Sequence, residues 1–131
     1  MKTESIGLIW IAVSDLKKAI QFYTETVGLK LMEHHEEFGW AELEGHRGGA
    51  RLGLAQMQSN PEEPVKPGQN AVMTFTVANL EEANADMLKK GATLIGTIQE
   101  VPGHVRLQTA TDADGNRFQV VQVLAHHCAH C

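Results

Sequence analysis

The chain has 131 residues, of which 43% are apolar and 21% charged, so it fits a single domain that buries one core. Its formal charge of −5 argues against nucleic acid as a partner. It contains no apolar run of about 18 residues and no signal-peptide pattern at its start, so we expect a cytoplasmic protein with no membrane partner. Both cysteines, Cys128 and Cys131, lie in the last four residues, so no disulfide can hold the core together.

The sequence repeats itself at a spacing of 64 residues. Val13–Ala19 reads VSDLKKA and Val77–Ala83 reads VANLEEA, with apolar, capping and small residues at the same places. An alternating apolar run precedes each copy, and a helical pattern that stops at Gly28 or Gly91 follows it. The pattern therefore predicts a strand, a cap and a helix, twice over.

The two predicted helices each carry a buried apolar stripe. The first begins after Asp15, and the second begins after Asn79 with Glu82 completing a capping box. The stripes consist of Leu16, Ala19, Ile20, Tyr23 and Val27 in the first helix and of Leu80, Ala83, Met87 and Leu88 in the second. Both helices therefore need a sheet to pack on.

Three strands are predicted after each helix: Leu29–His35, Gly39–Glu44 and Ala50–Gln56, then Thr93–Thr97, Val105–Thr111 and Asn116–Val123. The order βαβββ, twice, predicts an α+β fold whose curved mixed sheets surround a crevice. We expect a single domain, 1–131, made of modules 5–58 and 69–124. The segment 59–68, with three of the four prolines, is the expected linker, and 125–131 is a tail.

Alternation along the strands separates an apolar face, expected under the helix, from a mixed face. The mixed face is predicted to hold Leu8, Trp10 and Ala12; Trp40, Glu42 and Glu44; Arg51, Gly53 and Ala55; Val72, Thr74 and Thr76; His104, Arg106 and Gln108; and Arg117, Gln119 and Val121. Aromatic, hydroxyl, amide and charged groups that converge on one sheet face are typical of a small-molecule site. A solvent-washed or dimer-covered face is the alternative.

The repeat resembles the vicinal oxygen chelate superfamily, which includes glyoxalase I, extradiol dioxygenases and bleomycin-resistance proteins. The resemblance covers about residues 5–124 and is carried by Ile9–Tyr23, Val27–Leu29 and Asp112–Asn116. It implies paired βαβββ modules around a cleft, commonly in a homodimer.

The resemblance also implies a divalent metal held by one side chain from the first and one from the last strand of each module. Those positions fall at Leu8, Gly53, Val72 and Gln119. Only Gln119 has a side-chain oxygen, and a neutral amide is a weak ligand. We therefore expect no metal cofactor at the family's positions.

Without a metal, the resemblance favours the branch that binds a small molecule and performs no chemistry. Trp10 and Trp40 could stack on a flat ligand, and Arg51 or Arg117 could pair with an anion or with Glu42 or Glu44. The predicted ligand-binding set is Trp10, Trp40, Glu42, Arg51, Thr74, Arg106, Gln108, Arg117 and Gln119.

Two enzymatic alternatives remain open, namely a glyoxalase-like lyase or isomerase and a dioxygenase. A metal-free enzyme would use His104 or Glu42 as its general base. A metal-dependent enzyme would use zinc, nickel or copper bound by the tail, where imidazoles and thiols are close together in the sequence. The tail candidates are His126, His127, Cys128, His130 and Cys131.

Overall fold

The computed structural model describes Lys2, Glu4 and residues 6–57, 66–69 and 72–124, which divide into two compact units. The first takes the described residues up to 69 together with Asp114–Asn116, and the second takes the remainder from Val72 on. Residues 59–65 of the expected linker and the tail 125–131 lie outside the described residues. Within the described part, no helix is long and apolar enough to span a membrane.

The first unit is built on a four-stranded mixed sheet. Its elements are β1 (Leu8–Val13), α1 (Leu16–Gln21) with a π-helical turn at Phe22–Thr26, β2 (Lys30–His35), β3 (Trp40–Gly45) and β4 (Gly48–Gln56). The strand order is β1-β4-β3-β2, in which β1 runs parallel to β4 and the other pairs are antiparallel.

The second unit repeats this arrangement. Its elements are β5 (Met73–Thr76), α2 (Leu80–Lys89), β6 (Thr93–Val101), β7 (Val105–Thr111) and β8 (Arg117–Val123), in the sheet order β5-β8-β7-β6. The predicted α+β fold of two βαβββ modules is confirmed. Strand β6 continues past the predicted end at Thr97, because a bulge between Ile95 and Gln99 lets it resume pairing with β7.

Each helix is fixed at its start by two side chains in equivalent places. Asp15 accepts a hydrogen bond from the Lys18 amide at 3.2 Å, and Asn79 accepts one from Glu82 at 3.0 Å, as the sequence predicts. In addition, the Leu16 amide donates to Gln56 Oε1 at 2.7 Å. The Leu80 amide donates to Gln122 Oε1 at 2.9 Å. The last strand of each module therefore holds the start of its helix.

The helix-covered face of each sheet forms the core of its unit. Fully buried side chains include Ile11, Val13, Tyr23, Leu43 and Leu54 in the first unit and Leu80 and Phe118 in the second. The predicted inward position of Leu88 is wrong, since its side chain is 60% exposed. It follows Met87, which is buried, and successive helix positions differ by about 100°, so the two cannot share the narrow buried stripe.

Three residues late in the chain complete the first unit. Asn116 is buried, its Nδ2 donates to the carbonyl of Ala12 at 3.0 Å, and its Oδ1 accepts from the Gly68 amide at 2.7 Å. Asp114 accepts from the Ser14 amide at 3.1 Å. These bonds tie the end of β1 to residues about one hundred positions further along the sequence.

Candidate functional site

The open face of the first sheet, the face opposite α1, brings together four predicted ligand-binding residues. Trp10 and Glu42 both lie directly across from Gly53, on β1 and β3, and Arg51 precedes Gly53 by two positions on β4. Trp40 lies on the same face, two positions before Glu42. Their side chains are half-buried. The face predicted for these three strands is confirmed by the pairing register.

Arg51 is surrounded by carboxylates rather than left open to an anion. Its Nη1 lies 2.6 Å from Glu33 Oε2 and 3.1 Å from Glu42 Oε1, and its Nε lies 3.2 Å from Glu44 Oε2. These contacts raise the pKa of Arg51, with the Glu42 hydrogen bond as the largest cause. One positive and three negative charges leave the cluster with a formal charge of −2. Of the two alternatives for Arg51, the structure therefore has the internal pairing.

Glu42 is held from two sides. Its Oε1 accepts from Arg51, and its Oε2 accepts from the indole Nε1 of Trp40 at 2.9 Å. The side chain keeps 21% of its surface exposed. The two hydrogen bonds therefore give this carboxylate a fixed orientation.

Glu33 belongs to this cluster but was missed by the sequence reasoning, which assigned no face to β2. It lies across from Glu42 and accepts hydrogen bonds from both Arg51 and His35. These donors lower the pKa of Glu33, His35 first, and Glu33 in turn raises the pKa of His35. The alternation of Glu33 and His35 around His34 was the available signal, because alternate strand residues share a face.

The indole of Trp40 lies over Gly53. A Cβ added at residue 53 would come within 2.5 Å of Trp40 Cη2, 2.7 Å of Trp40 Cζ2 and 3.0 Å of Trp10 Cβ. The backbone of Gly53 does not require glycine, since its φ is not in the left-handed region. The space above residue 53 does require glycine, because the Trp40 ring fills the volume that a side chain would need.

The open face of the second sheet is less charged. Thr74 lies across from Gln119, and Thr109 flanks Gln119 on its other side. Aliphatic Leu107 and Val121 lie next to them in the same register. Arg117, another predicted ligand-binding residue, is exposed near the start of β8. The predicted residues of this face thus offer hydroxyl and amide groups, with a single guanidinium at one end.

The face predicted for β7 is wrong, so Arg106 and Gln108 do not belong to an open face. Gln108 lies across from Val120, on the side covered by α2, and is only 2% exposed. Its Nε2 donates to the carbonyls of Ile95 and Gly96 at 3.1 Å, and its Oε1 accepts from Asn84 Nδ2 at 3.0 Å. The bulge in β6 exposes carbonyls that need donors, and this need outweighs the cost of burying an amide.

Arg106 is engaged on the same helix-covered side. Its Nη2 lies 2.5 Å from Glu81 of α2, and its Nε lies 3.7 Å from Glu100 of β6. The ion pair raises the pKa of Arg106 and lowers that of Glu81. Both predicted ligand-binding residues of β7 therefore serve the packing of α2.

The two candidate general bases lie in different units and differ in their surroundings. His104 is exposed in the turn between β6 and β7, where its backbone amide donates to Val101 and its carbonyl accepts from Leu124. Glu42 lies in the other unit and is engaged by Trp40 and Arg51.

The metal implied by the resemblance does not fit the positions assigned to it. Leu8 and Val72 carry no donor atom and are 40% and 52% exposed, and no side chain fits at Gly53. Gln119 alone offers an amide oxygen. Across the described residues, no group of three or more histidine, cysteine, aspartate or glutamate side chains could hold a metal ion. The candidate tail ligands lie outside the described part.

A depression of about 220 Å³ lies elsewhere in the first unit, at the start of α1. Its lining includes Asp15 and Gln56, both of which cap the helix. It is smaller than the roughly 300–1,000 Å³ of typical ligand pockets, and Asp15 and Gln56 are already used as helix caps. The open face of the first sheet is the stronger candidate.

Known structures and families bear on this site. A model of the Glyoxalase/Bleomycin resistance protein/Dioxygenase superfamily matches residues 5–120. No curated protein matches significantly.

Among solved structures, the chain resembles a member of that superfamily from Sphaerobacter thermophilus, with 21% identity and a TM-score of 0.79 over 93% of this chain and 99% of the other. It also resembles TnmS3, an antibiotic binding protein from Streptomyces sp. CB03234, with 25% identity and a TM-score of 0.77 over 94% of this chain and 98% of the other. A glyoxalase/bleomycin resistance protein from the same Streptomyces is 25% identical, with a TM-score of 0.71 over 88% of this chain and 98% of the other. With the family model spanning both βαβββ modules, the chain belongs to the Glyoxalase/Bleomycin resistance protein/Dioxygenase superfamily.

Proposed function

We propose that the protein binds a small organic molecule at the open face of the first sheet, without a metal and without catalysing a reaction. The observation that carries this proposal is the association of two half-buried indoles, Trp10 and Trp40, with the fixed carboxylate of Glu42. Indoles bury apolar or planar ligand surface, and a fixed polar group orients it. The similarity to TnmS3, an antibiotic binding protein, supports the same class of function.

The charge of the cluster favours one kind of ligand. Arg51 shares its charge among three carboxylates, and the net formal charge is −2. An anion approaching Arg51, which is itself 33% exposed, would meet the carboxylates around it, of which Glu33 is 42% exposed. A ligand with positive charge or hydrogen-bond donors is therefore favoured over an anion.

The absence of catalysis is part of the proposal. The metal-dependent superfamily reactions would use a metal as Lewis acid, and the assigned positions offer a single amide oxygen. The lyase, isomerase and dioxygenase alternatives lack comparable support, since Glu42 is engaged by two donors and His104 is exposed in a turn. Zinc, nickel or copper at His126, His127, Cys128, His130 and Cys131 stays a prediction, as do the homodimer and the cytoplasmic location.

The test compares two flat probes of opposite charge, proflavine as a cation and anthraquinone-2-sulfonate as an anion. We expect quenching of tryptophan emission to saturate with proflavine and to be at least about tenfold weaker with the anion. Glu42→Gln should reduce proflavine affinity about tenfold. Glu100→Gln, which removes an exposed carboxylate from the second unit, is the matched control and should leave the affinity unchanged.

Two results would overturn the proposal. One is equal affinity of Glu42→Gln and the unchanged protein for proflavine. The other is chemical conversion of a bound compound, detected by chromatography after incubation with the protein.

The predicted homodimer has its own test. Analytical ultracentrifugation in the same buffer measures the mass, and a homodimer requires twice 14.4 kDa.

A further inference from the structure

The metal positions that the family resemblance assigns and the side chains found there disagree most sharply at Gly53. Strand β4 reaches the open face at this point, between Trp10 on β1 and Glu42 on β3. A ligand side chain from β4 would have to start from the Cβ of residue 53. That Cβ would lie 2.5 Å from Trp40 Cη2, which no real Cβ tolerates.

Trp40 is held in this position by contacts at both ends of its indole. Its Nε1 donates to Glu42 at 2.9 Å, and Glu42 is in turn bound by Arg51. Its six-membered ring lies against Gly53. The ring cannot move aside without breaking the hydrogen bond to a partly buried carboxylate, which makes its position costly to change.

We infer that Trp40 takes the place of the metal ligand that the resemblance assigns to β4, because its indole fills the volume of a side chain at residue 53 and presents a flat aromatic surface there. Gly53 and Trp40 are then an interlocked pair, in which the indole at position 40 requires glycine at position 53. This inference concerns the side chains alone and does not depend on the ligand proposed above.

The interlock predicts a coupling between the two positions. Gly53→Ala should lower Tm by roughly 5 °C or more, because the methyl group and the indole cannot both fit. Trp40→Phe removes the outer ring that carries Cη2 and Cζ2. In the Trp40→Phe protein, the decrease in Tm caused by Gly53→Ala should be smaller by at least about half, since only the 3.0 Å approach to Trp10 Cβ remains.

A spectroscopic reading separates displacement of the indole from general loss of stability. The chain has two tryptophans, so Trp10→Phe leaves Trp40 as the sole indole fluorophore while keeping a Cβ at residue 10. Adding Gly53→Ala to this protein should move the emission to longer wavelength and increase quenching by acrylamide, under conditions where circular dichroism shows it folded.

Gly7→Ala is the matched control. A Cβ at Gly7 would meet no atom within 4 Å, and its backbone likewise does not require glycine. It should change neither Tm nor emission. The inference is overturned if Gly53→Ala costs the same in the Trp40→Phe background as in the protein that keeps Trp40, or if Gly53→Ala leaves the Trp40 emission and quenching unchanged.

Discussion

The two modules share a frame, but their clusters of interacting polar side chains lie on opposite faces of the sheet. In the first, Arg51 and three glutamates gather on the open face. In the second, Gln108 with Asn84 and Arg106 with Glu81 gather under the helix. The last strands of the two modules can be aligned, because Gln56 and Gln122 each accept a hydrogen bond from the first amide of their helix. This alignment shows which residue of the first module is equivalent to Gln108.

Two positions before those glutamines, Leu54 pairs with Ala41 and Val120 pairs with Gln108. A small apolar residue in one module thus stands where the other has a buried amide. The helix caps and the strands that hold the helix starts are therefore common to both modules. The side chains on the faces of the two sheets differ from one module to the other. A binding site found in one module is therefore no argument for a site in the other.

The largest expected effect lies under the helix of the second module. Gln108→Ala should cost about 2–3 kcal/mol of unfolding free energy, because the carbonyls of Ile95 and Gly96 and the amide of Asn84 lose their partner in a buried place. Urea denaturation followed by circular dichroism measures it. Gln119→Ala, on the open face of the neighbouring strand, should cost less than about 0.5 kcal/mol, and equal costs would contradict the assignment of faces.

The next effect should be the same in both modules. Asp15→Ala and Asn79→Ala each remove the acceptor for one amide at the start of a helix, so each should cost about 1 kcal/mol in the same denaturation experiment. Asp15→Asn and Asn79→Asp keep an acceptor and should stay close to the unchanged protein. A large cost in one module only would show that the repeated frame is not energetically repeated.

A smaller effect should appear in the open face of the first module alone. Arg51→Met leaves Glu33, Glu42 and Glu44 close together without their shared cation, so Tm should fall at low ionic strength. Salt at 1 M reduces the Debye length to about 3 Å and should recover most of the loss. Arg117→Met provides the control in the second module, since Arg117 is exposed. A salt-independent loss would contradict the electrostatic origin.

The smallest effect depends on pH. Glu33 raises the pKa of His35 above 6.5, so this pair stabilises the fold fully below pH 6.5, and the stabilisation is lost as pH rises through the raised pKa. His35 and Arg51 lower the pKa of Glu33 below 4.5, so its contribution is present above that pH and is lost as pH falls through the lowered pKa.

The difference in Tm between the unchanged protein and His35→Gln should therefore be largest near about pH 5–6 and should shrink above neutrality. The groups are largely exposed, which keeps the effect small. His34→Gln, on the opposite face of β2, is the control and should show no such window. A difference that does not vary between pH 5 and pH 8 would rule out this pair as its source.

The frame was predictable because its signals are local. The VSDLKKA and VANLEEA segments specify caps and helix starts, and the alternation in β3 and β4 separates the buried leucines from polar or small residues. Alternation along the strands also predicted that one face of the first sheet would carry Trp10, Trp40, Glu42 and Arg51. Their mutual arrangement did not follow from the alternation, because the hydrogen bonds around Arg51 depend on Glu33 from an edge strand.

The face of β7 could not be read from its own residues. One face of this strand carries Val105 and Leu107, and the other carries Gln108 and Ala110. Each face therefore has apolar residues that could be buried under the helix. The choice is made by a neighbour, since the bulge at Gly96 presents carbonyls that Gln108 satisfies. A glycine inside a predicted strand was the one available hint of a bulge.

The bonds of Asp114 and Asn116 to the first unit also constrain when that unit can be finished during synthesis. A chain grows from its amino terminus, and domains generally begin to fold in that order. Ala12 and Ser14 nevertheless find their partners only after residues 114–116 have been made. The nascent first module must therefore wait with the end of β1 incomplete until nearly the whole protein has been translated, and a chain that stops before Asp114 would lack these bonds.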